Sequence, residues 1–140
     1  MKITRFEKYK KLGFKLTTQR LAILEYLDGN TSHPSAYDIY KFIKKKFPII
    51  SFATIYNTLK KLEQNNLLIE LNIDANKKRF DPNIIPHHHI ICIKCKKIKD
   101  IFASFDIKLS SKEKGDYEII SNNIEFYGYC YKCAKINKRR

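Results

Sequence analysis

Two Cys-x-x-Cys pairs, Cys92-Ile93-Lys94-Cys95 and Cys130-Tyr131-Lys132-Cys133, use every cysteine in the chain. Each pair lets two thiolates point at one cation, and two pairs complete a tetrahedral four-thiolate zinc site. Such a site contributes on the order of 10–16 kcal/mol at neutral pH, comparable to the whole stability of a small domain. Residues 96–129 separate the pairs, more than a compact zinc ribbon allows, so the site would tie distant strands of the C-terminal half together. The rival reading is a pair of redox-active dithiols, favoured by the basic neighbours Lys94, Lys96, Lys97 and Lys132, which lower thiol pKa values.

A chain of 140 residues has room for one ordinary domain or two small ones. A C-terminal half of roughly 60 residues would need a metal staple or a partner subunit. Lysine and arginine number 28 against 14 aspartates and glutamates, and the excess of +14 suits a polyanionic partner, nucleic acid first and anionic membrane second. No run approaches the roughly 18 apolar residues of a membrane span, and the N-terminal stretch has no hydrophobic signal core. These features predict a cytoplasmic protein without a membrane partner, where disulfides are rare and cysteines serve as ligands or redox groups.

Residues 3–12 read as a short helix closed by Gly13. Thr17 reads as the N-cap of a helix with Leu21, Leu24 and Leu27 on one face, closed by Gly29 and Asn30. Ser35 caps a third helix with Ile39, Tyr40, Ile43 and Phe47 as its apolar stripe, ended by Pro48. Ser51 caps a fourth with Ile55, Leu59 and Leu62 inward. LLIELNI and KKRFD then read as two strands around a turn at Asp74-Ala75-Asn76. This is the pattern of a winged helix-turn-helix. The outward face of the fourth helix offers Thr54, Tyr56, Asn57, Lys60 and Lys61, able to touch base edges and phosphates. Arg20 and Ser51 join them as candidate DNA contacts.

The boundaries expected are a DNA-binding domain over 1–82, a hinge over 83–86 marked by Pro82 and Pro86, and a dimerisation and metal-binding domain over 87–140. In the latter, HHHIICIKC and KKIKDIFA read as strands joined by a cysteine knuckle. A short helix within 104–115 follows, then strands YEIIS and IEFYGYC. The fold class is α+β, with a small antiparallel α/β unit suited to pairing with a second copy. The Lys135–Arg140 tail reads as frayed.

All four histidines sit where ligands could sit. Alternation points His87 and His89 to one face of a strand and His88 to the other. With His33, Asp81 and Asp100 they would make a set of three nitrogens and two oxygens drawn from both halves. Carboxylates without thiolate tilt such a site toward Fe(II) or Mn(II), although zinc can enter. The bland alternatives are a helix entry at His33-Pro34, a turn residue at Asp81 and a solvent-facing bystander at His88.

The strings LTTQRLAILEYL, SHPSAYDIYKFIKKKFPIISFATIYNTLKKLEQNNLL, RFD, HHHIICIKCKKIKDI and EFYGYCYKC occur in order. Together they resemble the ferric uptake regulator superfamily, and within it the peroxide-sensing repressor branch. The resemblance implies a winged-helix domain plus a dimerisation domain, a homodimer, and metal-activated repression of a palindromic double-stranded DNA operator. It places Cys92, Cys95, Cys130 and Cys133 on one structural Zn2+ per chain. It places His33, Asp81, His87, His89 and Asp100 on one regulatory Fe2+ or Mn2+ site. Tyr56 falls on a DNA-contacting tyrosine and Lys15 on a basic residue that reaches toward DNA. Aspartates at 81 and 100, and Asn57 after Tyr56, resemble the peroxide branch rather than the iron regulators. In that branch Fe(II) reacts with peroxide and a ligand histidine is oxidised, which makes His33 and His87 the expected targets.

Two departures stand out. The usual Thr-Pro-Gln-Arg reads Thr17-Thr18-Gln19-Arg20, and Asn122-Asn123 replace a histidine region that forms an additional metal site in some iron regulators. The expectation is therefore a peroxide-sensing repressor and not an enzyme. Its rivals are an iron-responsive repressor without an oxidative switch, a CxxC thiol oxidoreductase and a zinc-ribbon RNA-binding module.

Overall fold

The computed structural model describes residues 7, 9, 10, 13 and 15–138. The chain divides into two compact units, Met1–Ile84 and Ile85–Arg140. Most of the helix expected over residues 3–12 lies outside the described residues. At Glu7, Tyr9 and Lys10 the backbone is helical, and Gly13, at φ 74°, donates its N–H to the Lys10 carbonyl at 3.0 Å.

Capping residues set the helices of the first unit. Helix α1, Thr18–Leu27, starts where the Thr17 hydroxyl accepts the Arg20 N–H at 3.2 Å. Its inward residues are Ala22, Ile23, Leu24 and Leu27. Leu21, expected inward, is only half-buried; an unbroken Leu-Ala-Ile-Leu run lets neighbouring helices choose the face. Helix α2, Ala36–Lys44, begins with a reciprocal capping box between Ser35 and Asp38. It stops at Lys44 rather than at Phe47, because Lys46 and Phe47 both donate to the Ile43 carbonyl in a tightened last turn, at 3.0 and 2.9 Å. Helix α3, Phe52–Gln64, is capped by Ser51 and buries Ile55, Thr58, Leu59 and Leu62. Asn66 takes the left-handed conformation (φ 56°) while Leu67 donates to the Leu62 carbonyl at 2.9 Å, which closes the helix.

These helices enclose a core of Ile23, Leu27, Ile39, Ile43, Ile55, Leu59 and Leu62, with Phe80 from the wing. The wing is shorter than expected: β1, Ile69–Leu71, pairs antiparallel with β2, Arg79–Asp81, in the register Ile69↔Asp81. Asp74 ends the pairing early by accepting the Asn76 N–H at 3.0 Å and facing Arg79 at 3.7 Å.

The second unit centres on β3, His88–Cys92, with β4, Ile98–Ile101, antiparallel on one side. On the other side β5, Glu125–Gly128, runs parallel, so the sheet is mixed and not antiparallel throughout. Antiparallel β4 returns the chain to the starting end of β3, and the long connection containing α4, Ser111–Lys114, then leads from β4 to the opposite edge of β3, so that β5 runs parallel to it. The expected strand YEIIS pairs with no strand among the described residues; Tyr117 and Ile120 stand 80% and 92% exposed. Of the tail expected to fray, residues 135–138 belong instead to helix α5, Tyr131–Lys138, which carries buried Cys133, and residues 139–140 lie outside the described residues. The buried apolar residues of this unit are Ile91, Ile98, Cys92 and Cys133. That is too little apolar burial for a unit of this size to stand on alone. No described helix is long and apolar enough to cross a membrane.

Leu59 is 1% exposed at the centre of the helical core. Leu59→Ala is expected to cost about 2–5 kcal/mol in urea unfolding of the first unit, with bound zinc in the second unit unchanged.

Candidate metal centres and nucleic-acid interface

Cys92 ends β3 and Cys95 lies in the knuckle leading to β4. The turn is completed by Lys96, in the left-handed region at φ 64°, whose N–H donates to the Cys92 carbonyl at 2.9 Å. Cys130 follows β5 and Cys133 lies in the first turn of α5. Parallel pairing sets Cys92 opposite Gly128, which brings the second pair to the first. The four sulfurs lie within 4.8 Å of one another, and Cys95 and Cys130 are 3.8 Å apart. All four are free thiols, whereas a disulfide needs about 2.05 Å. A tetrahedral zinc with bonds near 2.3 Å spaces its sulfurs by about 3.8 Å, so the cluster fits zinc.

The local backbone prepares these sulfurs for a cation. The Cys130 and Cys95 N–H groups lower the Cys92 thiol pKa to about 6. The Cys133 N–H likewise lowers Cys130. Cys133 is raised to about 12, first by its hydrogen bond to Cys130 and then by burial. Without a cation, negative charge therefore collects on Cys92 while Cys133 keeps its proton.

Two imidazole–carboxylate groups complete the candidate ligands, one in each unit. In the first, His33 precedes α2 and Asp81 ends β2; His33 Nε2 stands 3.4 Å from Asp81 Oδ2, and both residues are buried. Asp81 Oδ1 accepts the Asn83 N–H at 2.9 Å, which orients the carboxylate. In the second, the register His89↔Asp100 sets an aspartate across the ladder from a histidine. Asp100 Oδ1 lies 3.0 Å from His87 Nε2 and 3.3 Å from His89 Nε2. The His87 and His89 rings are 4.5 Å apart on one face, as alternation requires.

A backbone carbonyl fixes the tautomer of His87. Its Nδ1 lies 2.6 Å from the Ile85 carbonyl, an acceptor, so Nδ1 must hold the proton. In the neutral ring Nε2 is then a bare lone pair facing a carboxylate oxygen. That arrangement calls for a positive charge between them, either a second proton or a metal ion, and the imidazole and carboxylate donors fit a divalent cation.

His88 is no solvent-facing bystander. Its Nδ1 accepts the Ile124 N–H at 3.0 Å, and its ring packs on Phe105 at 5.1 Å, which fastens the entry to β5. Sequence reading also missed Arg79, which is buried and bonded to the carbonyls of Ser32 and His33. The available signal was its place two residues before Asp81 on a short strand.

On α3, Tyr56, Asn57 and Lys60 are exposed and Thr54 is half-buried. Ser51 spends its hydroxyl on the cap, 2.9 Å from the Thr54 hydroxyl. Lys61, expected on the outward face, instead turns to the Gly13 carbonyl at 3.4 Å. Lys15 is exposed, and its carbonyl accepts from the Arg20 guanidinium at 2.8 Å, so Arg20 braces the segment carrying Lys15.

The ferric uptake regulator family profile matches residues 11–127. The peroxide-responsive repressor PerR of Staphylococcus epidermidis is 39% identical over 128 residues, covering 90% of this chain and 85% of that protein. Among solved structures, the Campylobacter jejuni peroxide stress regulator is 30% identical with a TM-score of 0.64, covering 91% of this chain and 98% of that one. The Helicobacter pylori ferric uptake regulator Fur, described with three functional metal binding sites, is 25% identical with a TM-score of 0.73, covering 94% and 91%.

Zinc uptake should report the uneven protonation of the cysteines. A thiol lowered to about 6 is ionised above that pH and regains its proton as pH falls through it. Zinc binding to the metal-free protein at neutral pH is expected to release fewer protons than there are cysteines, with release rising and affinity falling below pH 6. Calorimetry in buffers of different ionisation enthalpy measures this; full four-proton release at pH 7 would contradict the ionised Cys92.

Proposed function

The chain belongs to the ferric uptake regulator family, and from that premise we propose a metal-dependent, DNA-binding transcriptional repressor that senses peroxide. Regulators of this family bind DNA and act as dimers. In our reading the chain acts in the cytoplasm, on a palindromic operator, as a self-inactivating sensor without turnover. The DNA-binding domain spans 1–82, the hinge 83–86, and the dimerisation and metal-binding domain 87–140. Cys92, Cys95, Cys130 and Cys133 hold one structural zinc ion. His33, Asp81, His87, His89 and Asp100 hold one regulatory ion.

The observation that carries this reading is the opposition of imidazole nitrogen and carboxylate oxygen at His87, His89 and Asp100. His33 and Asp81 form a second such pair, joined to the first through only residues 82–86. One ion taking ligands from both would restrict the hinge and fix the spacing of two recognition helices in a dimer, favouring the DNA-competent arrangement. Nitrogen and carboxylate donors without thiolate suit Fe(II) or Mn(II). When bound, Fe(II) supplies the electron that reduces peroxide beside an imidazole.

The chain's own residues do the rest. The Ile85 carbonyl holds His87 in the tautomer whose Nε2 pair points at Asp100. Phe102 stacks over the His87 ring at 5.3 Å and covers one of its faces. His33 and His87 are the imidazoles we assign as oxidation targets. Loss of either as a ligand frees the hinge and lowers operator affinity. Lys15, Arg20, Ser51, Thr54, Tyr56, Asn57 and Lys60 are the proposed DNA-binding set. Arg20 and Ser51 act in it by shaping the backbone they cap or brace.

Two experiments test the reading. Asp100→Ala is expected to abolish Mn(II)-dependent operator binding while zinc content and fold remain; unchanged binding would remove Asp100 from the site. Protein loaded with Fe(II) and treated with peroxide is expected to gain one oxygen atom on His33 or His87, and Mn(II)-loaded protein none. Equal gain with both metals would refute the peroxide-sensing step.

A further inference from the structure

His33 holds a backbone conformation that side-chain-bearing residues rarely adopt. Its φ is 51°, in the left-handed region, and it directly precedes Pro34, a position that favours extended backbone. Such a residue persists only where its surroundings over-determine it. Here the surroundings converge on one side chain. Arg79 donates through Nε to the His33 carbonyl and through Nη2 to the Ser32 carbonyl at 3.1 Å. Its Nη1 faces the Asp74 carboxylate at 3.7 Å, and the residue is only 8% exposed. The strand that carries it adds two backbone ties, a bridge between Ser35 and Arg79 and the Phe80 N–H donating to the Pro34 carbonyl at 2.9 Å.

We propose that Arg79 is a positioning residue for the regulatory metal site. Its guanidinium spans two successive carbonyls and holds the left-handed turn, so that the His33 imidazole faces Asp81, two residues along the same strand, at 3.4 Å. The assignment rests on the functional reading above, because it gives His33 and Asp81 their role as ligands. Geometry explains why arginine is needed. A planar fork with several fixed donors can serve two carbonyls and a carboxylate together, whereas the lysine ammonium is a compact charge at the end of a flexible stem. Residues that orient metal ligands typically change affinity by about 10–100-fold when altered.

The test compares Arg79→Lys with Asp74→Asn in the full-length, zinc-loaded protein. Mn(II) affinity is read by electron paramagnetic resonance. After Fe(II) loading and peroxide, the share of oxidation on His33 relative to His87 is read by mass spectrometry. Arg79→Lys keeps the charge beside Asp74 but loses the fork. It is expected to weaken Mn(II) binding by about tenfold or more and to lower the His33 share of oxidation, with zinc content and circular dichroism unchanged. Asp74→Asn keeps the fork and is expected to keep wild-type affinity. Wild-type affinity and oxidation share in Arg79→Lys would overturn the assignment. So would an Asp74→Asn variant as weak as Arg79→Lys, since Arg79 would then be only a charge partner. If Arg79→Lys loses its fold, Arg79→Gln, which retains a planar amide donor, is measured against the same two outcomes. Failure of the unsubstituted protein to bind Mn(II) would instead refute the functional reading, and this assignment with it.

Discussion

An imidazole lone pair and a carboxylate oxygen held about 3 Å apart repel each other unless a positive charge lies between them. At His87 the tautomer leaves such a lone pair toward Asp100, while His89 Nε2 faces the same aspartate and His33 Nε2 faces Asp81 in the first unit. Neither group is an accident of side-chain packing. The Asn83 N–H orients Asp81, the Ile85 carbonyl sets the His87 tautomer, and the β3–β4 register carries Asp100 to His89. A proton satisfies either group locally, without reference to the other. A divalent cation has room for more ligands than either group provides, which makes it the agent able to join two units in the proposed switch.

Division of labour between the candidate metals follows from ligand chemistry. Four thiolates suit zinc and hold it without redox change; nitrogen and oxygen donors suit a harder, exchangeable ion. Both clusters draw on β3, where His89 and Cys92 lie three residues apart, about 10 Å along a strand. With few apolar side chains buried around that strand, the zinc staple is what can keep it rigid enough to present histidines at fixed separations. Stability at one end of the strand thus serves sensing at the other.

The local signals in the sequence were strong and the non-local ones weak. Thr17, Ser35 and Ser51 marked the helix starts because a capping hydroxyl acts within three residues of itself. The cysteine pairs announced by spacing and number that their four sulfurs would meet. Strand pairing was less legible. YEIIS alternates as a strand should, yet alternation says nothing about which edge is free to receive it. The placing of β5 beside β3 depends on a long connection from β4 whose sequence has no distinctive period. Arg79 looked like one more basic residue of a wing, and only burial against the His33 turn revealed its connections. His88 was hidden by its neighbours, since three consecutive histidines disclose the face each takes but not what waits there.

The most direct test of a cation shared between the units is to count its nitrogen ligands. Mn(II)-loaded protein carrying 15N-labelled histidine, examined by electron–nuclear double resonance, should show three imidazole couplings, and His33→Ala should reduce them to two. Two couplings in the unsubstituted protein, unaffected by loss of His33, would show that the ion belongs to the second unit alone and would contradict the proposed switch.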